Sequence, residues 1–227
     1  MLGLSQLIMS TATPVSSRDR ILLAAKELFA KNGYENTSTV AIARQARTSE
    51  SQLMKHFGSK QGLLFAILDL GWTAILNRAY ALSSTPVRSP QSLIDVLESY
   101  IIELEQDSAM KSLVVLESRR TRRDNAGPSP GDGALQFGSL LESLLRDLKN
   151  QGTLRAELNV NAARAGLFGL LEGLLFEQVV SAREDRQPLH SPDDVRKVLE
   201  AFVSGLMNEA MASQQDQQDT ATWSRVG

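Results

Sequence analysis

The feature that most constrains this chain is a helical rhythm of apolar residues, punctuated by cap residues and never replaced by strand-type alternation. Ile21, Ala25, Leu28 and Phe29 fall at i, i+4, i+7 and i+8, which is one stripe of a helix. Ser16 or Ser17 can cap that helix, with Asp19 three residues after Ser16, and Gly33 stands where the helix stops. The same grammar predicts helices over 17–32, 38–46, 49–57, 60–82, 91–105, 108–123, 134–151, 161–183 and 192–213. Ser49-Glu-Ser-Gln52 fits a capping box, Gly58 ends the third helix, and Pro192 opens the last at a position proline favours. Segments 83–90 and 124–133 read as linker and loop from their Ser, Pro and Gly content. The expected fold class is all-α.

Composition narrows the chemistry. At 227 residues the chain is one large domain or two small ones. There is no cysteine, which excludes disulfides, thiolate metal sites and cysteine nucleophiles. Two histidines, His56 and His190, leave little for a metal site or a catalytic triad, so neither metal nor cofactor is expected. A metal-ligand cluster, a Gly-rich phosphate loop and a nucleophile–base pair are all missing, and no enzyme is expected. No apolar run reaches the roughly 18 residues of a membrane span, so no membrane partner is expected, and a reducing cytoplasm is the expected compartment. Residues 1–15 read as a disordered tail without the basic start of a signal peptide, and Met9 is an alternative start to Met1. Residues 214–227 read as a second disordered tail.

Charge divides the chain. Residues 1–64 carry eight basic and four acidic side chains, net +4, against sixteen basic and twenty-two acidic in the remainder, net −6. A basic head on an acidic body suggests that the head meets a polyanion. Within it, residues 38–57 form two short helices joined by a tight break at Arg47-Thr48, a helix-turn-helix. A core of the first helix, Ile42, Ala43 and Leu53 would hold the third helix proud of the surface, at the width of the DNA major groove. Leu53 and Phe57 point inward, leaving Glu50, Ser51, Gln52, Lys55 and His56 outward. Gln52 can bond adenine bidentately, Ser51 either partner, and Glu50 can accept from cytosine. Lys55 and Lys60 can neutralise phosphates, Lys60 at the amide-rich start of the fourth helix.

These residues carry a resemblance. Thr37-Ser-Thr-Val-Ala-Ile-Ala-Arg-Gln-Ala46 followed by Ser49-Glu-Ser-Gln-Leu-Met-Lys-His-Phe-Gly-Ser-Lys60 is similar to the DNA-binding head of the TetR family of bacterial transcriptional regulators (TetR/AcrR type). Arg20-Ile-Leu-Leu-Ala-Ala-Lys-Glu-Leu-Phe-Ala-Lys-Asn-Gly33 resembles that family's first helix. The match covers about residues 17–66; beyond it only the architecture and the Gly-Leu-Leu-Glu-Gly string at 169–173 resemble the family. The resemblance implies a helix-turn-helix DNA-binding domain over 16–66 and a C-terminal ligand-binding and dimerisation domain over 67–213. Thr39, Arg47, Ser49, Glu50, Ser51, Gln52, Lys55, His56 and Lys60 are the expected DNA contacts; the resemblance implies that His56 meets phosphate, which is compatible with capping its helix. Two positions depart from the pattern. Arg47 stands where the family usually has a turn glycine, and Met54 where it usually has a tyrosine that contacts phosphate.

For the body, the family dimerises and encloses a ligand pocket. The 161–183 helix is apolar on most sides, which means burial on both flanks, with Gly166, Gly169 and Gly173 allowing close approach. Together with Val195, Leu199 and Phe202 of the last helix these are the candidate dimer residues, in a four-helix seam; the alternative is the central helix of a monomer. Candidate pocket residues are Trp72, Tyr100, Met110, Leu113, Leu116, Glu117, Phe137, Phe168 and Glu172, against the plainer reading that each is core or surface. Apolar walls with one or two carboxylates suit a hydrophobic or cationic ligand. Arg119, Arg120, Arg122 and Arg123 form either an anion contact or a solvated helix end. The expected function is a DNA-binding transcriptional repressor, dimeric on a pseudo-palindromic operator and released by a small-molecule effector. The alternative is a constitutive DNA-binding or architectural protein with no ligand.

Overall fold

A computed structural model of the chain describes residues 16–83, 89–117, 132–187 and 190–208. Among them lie nine helices: α1 (Ser17–Asn32), α2 (Thr39–Gln45), α3 (Glu50–Phe57), α4 (Lys60–Ser83), α5 (Pro90–Glu105), α6 (Ser108–Glu117), α7 (Asp132–Asn150), α8 (Val160–Arg183) and α9 (Pro192–Leu206). The chain forms two compact units that divide between Ala66 and Ile67. The first is called the head and the second the body.

The head is built on the stripe read from the sequence. Ile21, Ala25 and Phe29 of α1, Ile42 of α2 and Leu53 of α3 have no exposed surface. Cap chemistry sets each boundary. The hydroxyls of Ser16, Ser38 and Ser49 accept from the amides of Asp19, Ala41 and Gln52 at 3.1, 3.1 and 3.2 Å. Gly33 and Gly58, at φ 82° and 73°, turn the chain where a side chain would be strained. The capping box expected at Ser49 is half made: the amide bond is present, but no return bond from the Gln52 side chain accompanies it.

The body packs α5, α7, α8 and α9 around Leu97, Tyr100, Leu141, Leu145, Leu167, Leu171, Leu175, Val195 and Leu199, all fully buried. Two complete capping boxes start its helices, Ser89 with Ser92 on α5 and Ser191 with Asp194 on α9. Two boundaries differ from the sequence reading. Gly133, read as loop, lies in the first turn of α7, where Trp72 leaves no room for a side chain: a Cβ there would sit 2.2 Å from Trp72 Cβ. The last helix was expected to continue to residue 213 but ends at Leu206. Met207 turns extended and buried, and pairs with Leu154 as an isolated antiparallel bridge. Arg155 N–H to Leu206 O (3.1 Å) and Asn208 N–H to Thr153 O (2.9 Å) fasten the two segments together. The linker at 84–88, the arginine run from Arg119 to Arg123 and both expected tails lie outside the described residues.

Helices α4 and α8 each contain an 18-residue stretch that by length and composition could cross a membrane, which the search for unbroken apolar runs did not find. In α4 half of that stretch is buried within the protein; in α8 only 33% is. An apolar helix left this exposed in a subunit has a face in need of a partner.

Candidate nucleic-acid interface

Helix α3 is presented by its neighbours' backbones. After α2 the chain closes with two bonds, Thr48 N–H to Ala43 O (3.0 Å) and Arg47 N–H to Arg44 O (3.2 Å). With Arg47 at φ 51°, this is a Schellman turn, the motif that normally takes glycine at the left-handed position. Arg20 of α1 braces the turn by donating Nε–H to Ala46 O at 3.1 Å. Leu53 plugs α3 into the core, and Glu50, Ser51, Gln52, Met54, Lys55 and His56 remain exposed around it. Phe57, read as inward, is half-buried, with the Arg18 guanidinium 5.5 Å from its ring centroid.

The candidate contacts divide into free and engaged groups. Ser51, Gln52 and Lys55 are exposed along α3, and Arg47 is exposed at its mouth. Thr39 and Glu50 come together: the Thr39 hydroxyl donates to the Glu50 carboxylate, linking the first turns of α2 and α3. Ser49 serves as the cap of α3. His56 Nε2 lies 3.1 Å from Ser17 Oγ, tying the last turn of α3 to the first turn of α1.

Lys60 requires a correction. Its ammonium donates to the carbonyls of Tyr34, Glu35 and Thr37 at 2.9, 3.4 and 3.0 Å and sits 4.3 Å from the Tyr34 ring centroid. An ammonium has three protons, and all three have acceptors here. Lys60 therefore fastens the α1–α2 loop to the start of α4 instead of waiting for a phosphate. Two exposed apolar side chains of the helix-turn-helix, Val40 on α2 (60% exposed) and Met54 on α3 (42%), are not among the expected contacts because they carry no charge. Both suit a thymine methyl.

The arrangement is a polar helix one groove wide, held from behind on a basic head. Residues 21–67 match the model of the bacterial regulatory proteins of the tetR family. The chain is 25% identical to the transcriptional regulator UidR of Escherichia coli K12 over 160 residues, 70% of this chain and 80% of UidR. Over a shorter stretch the likeness rises to 43% with QacR of Staphylococcus aureus, over 53 residues that make 23% of this chain and 28% of QacR. The head belongs to the TetR family. With that head the chain is a DNA-binding transcriptional regulator. Its fold also follows FadR of Bacillus subtilis, whose structure was determined with stearoyl-CoA. The TM-score is 0.68 at 21% identity, over 82% of this chain and 97% of that one.

In the body of this regulator, four of the candidate pocket residues form one cluster. Trp72, Tyr100, Phe137 and Phe168 lie within 5.4–6.5 Å of one another, centroid to centroid, in all six pairings. Leu113 is buried, and Met110 packs on α4 at Gly71, beside Trp72. Glu117 is 7% exposed. Glu172 lines, with Val115, Leu116, Gly169, Gly173 and Phe176, an open groove of about 330 Å³.

Of the candidate dimer residues, Gly166, Gly169, Gly173 and Phe202 are exposed. Val195 and Leu199 are not on that face: both are fully buried in their own subunit, on the inner side of α9. The exposed apolar face of α8 and α9 instead includes Val198 (41% exposed), which the last helix also offered as a contact, and Phe176 (48%), which sequence periodicity did not separate from the core.

Proposed function

We propose that this regulator is a homodimeric repressor, released from a pseudo-palindromic operator by a small molecule bound in the body. The observation that carries the DNA half is the exposure of Ser51, Gln52 and Lys55 on a helix whose Leu53 is fully buried. Each head places its α3 in a major groove, the two about one helical turn apart. The seam is the exposed face of α8 and α9, where Gly166, Gly169 and Gly173 admit a close helix and Phe176 and Phe202 supply apolar area. The protein acts in the bacterial cytoplasm, where its operator is, and no catalytic role is proposed.

The ligand half is supported by the aromatic cluster. The Trp72 indole N–H is buried there with no acceptor among the described residues, a costly state that a ligand oxygen would relieve. The fold it shares with FadR, solved with stearoyl-CoA, supports the same reading. The rival reading, a constitutive binder with no ligand, is favoured by the tightness of the same cluster, whose rings already fill much of the centre. Thermal shift over a compound library, followed by operator release, separates the two. Compounds that raise the melting temperature and release the operator support the proposal; a library that stabilises nothing, or stabilises without release, supports the rival.

A further inference from the structure

Read as sequence, the pocket candidates include two carboxylates, which suit a hydrophobic or cationic ligand. The structure reverses that sign. Glu117 and Glu172 each already make a contact of their own, and Glu172 lines the open groove. The charge that remains beside the cluster is a cation. Arg164 lies four residues before Phe168 on α8, so the two side chains share one face. Its guanidinium lies over α7 at Gly138, the neighbour of Phe137: a Cβ on Gly138 would stand 2.8 Å from Arg164 Nη1. Arg164 Nε is buried with no acceptor among the described residues, and so is Trp72 Nε1. Two unsatisfied N–H groups, one of them on a permanent cation, thus border the same four rings. Each is relieved by an oxygen acceptor, and a guanidinium is matched best by the two oxygens of a carboxylate.

Resting on the ligand-responsive reading above, we propose that the effector is an amphipathic organic anion. Its carboxylate is held by Arg164, and its apolar body lies against half-buried Phe168 and the aromatic cluster behind it. Gly138 is part of the device, because only a residue without a side chain lets the guanidinium lie across α7 at this point.

The test is calorimetric titration of the full-length protein with three probes of equal tail length, below their micelle thresholds: dodecanoate, 1-dodecanol and dodecyltrimethylammonium. Dodecanoate is expected to bind at least about tenfold more tightly than either of the others, the size expected of one charge-assisted pair. Arg164→Gln is expected to bring dodecanoate down to the level of dodecanol. Gly138→Ala is expected to shrink the same margin by displacing the flexible end of Arg164, in a protein whose fold it leaves intact. Equal binding of dodecanoate and dodecanol overturns the anion site while leaving an apolar pocket and the ligand-responsive reading in place. Tighter binding of the cation, or a dodecanoate margin that survives both variants, overturns it as well. If none of the three binds, the proposal falls, and the operator-release screen decides separately whether the regulatory reading falls with it.

Discussion

Helix α3 in the head exposes Glu50, Ser51, Gln52, Lys55 and His56, whereas α8 in the body exposes Ala162, Gly166, Gly169, Gly173 and Phe176. Both are helices with an inner stripe that anchors them, Leu53 for the first and Leu167, Leu171 and Leu175 for the second. They differ in what the outer face can do in water. The outer face of α3 is satisfied by solvent and gains specificity only when base edges replace that solvent. Between Ala162 and Phe176 the exposed residues of α8 are carbon and bare backbone, and gain by leaving water altogether. One helix therefore remains available for reading, while the other calls for a permanent partner. The head also invests in backbone geometry, a Schellman turn at Arg47 and three carbonyls gathered on Lys60, because reading needs a fixed helix more than a large core.

The largest expected effect comes from Lys60. Lys60→Ala removes the donor shared by three carbonyls of the α1–α2 loop and should lower stability by about 2–3 kcal/mol. Operator affinity falls with it, but the salt dependence of binding should stay as it was. A phosphate contact would behave the other way, with stability unchanged and the salt slope reduced by about one. Chemical denaturation and a salt titration of one variant decide between them.

Next is the outer face of α8. A Cβ at Gly169 or Gly173 meets nothing within 4 Å inside the subunit. Gly169→Leu should therefore cost the isolated subunit nothing by overpacking, while a partner helix seated on that face would be pushed away at about 1–3 kcal/mol. Sedimentation should show monomer at concentrations where the wild type is a dimer. A wild type that is itself monomeric, or a variant that dimerises as well, would remove the contrast between the two outer faces.

The smallest effect is at Arg47. Its φ of 51° strains any residue but glycine, by roughly 1–2 kcal/mol, part of which a glycine returns as unfolded-state entropy. Arg47→Gly should stabilise the head by up to about 1 kcal/mol and weaken DNA binding through the lost charge. Thermal melting and a DNA titration check both halves. A lower melting temperature would mean that the turn does not hold the strain its dihedral implies.

The head was legible in the sequence because its signals are local. Ser16, Ser38 and Ser49 each cap an amide three residues on, and Gly33 and Gly58 end helices where they stand. Even the strained turn could be anticipated, since Arg47 occupies a place where the pattern it resembles has glycine. Lys60 was misread because its partners lie 23–26 residues away and are carbonyls, which every residue possesses. In the body, helix existence was legible from periodicity but orientation was not. Helix α8 is apolar almost all round, so no stripe distinguishes buried Leu171 from exposed Phe176. Val195 and Leu199 were placed in the seam because the apolar stripe of α9 does not say whether it meets its own subunit or a partner, and Arg164 was passed over because a lone arginine on a helix ordinarily faces water.

The central claim is that the exposed face of α3 reads base sequence. Enrichment of a random DNA library by the wild type and by Gln52→Ala tests it most directly. The wild type should select a two-fold symmetric site. The variant should select the same site with preference lost at one position in each half, where the change costs roughly 1–3 kcal/mol. Identical selected sites for the two proteins would contradict the claim.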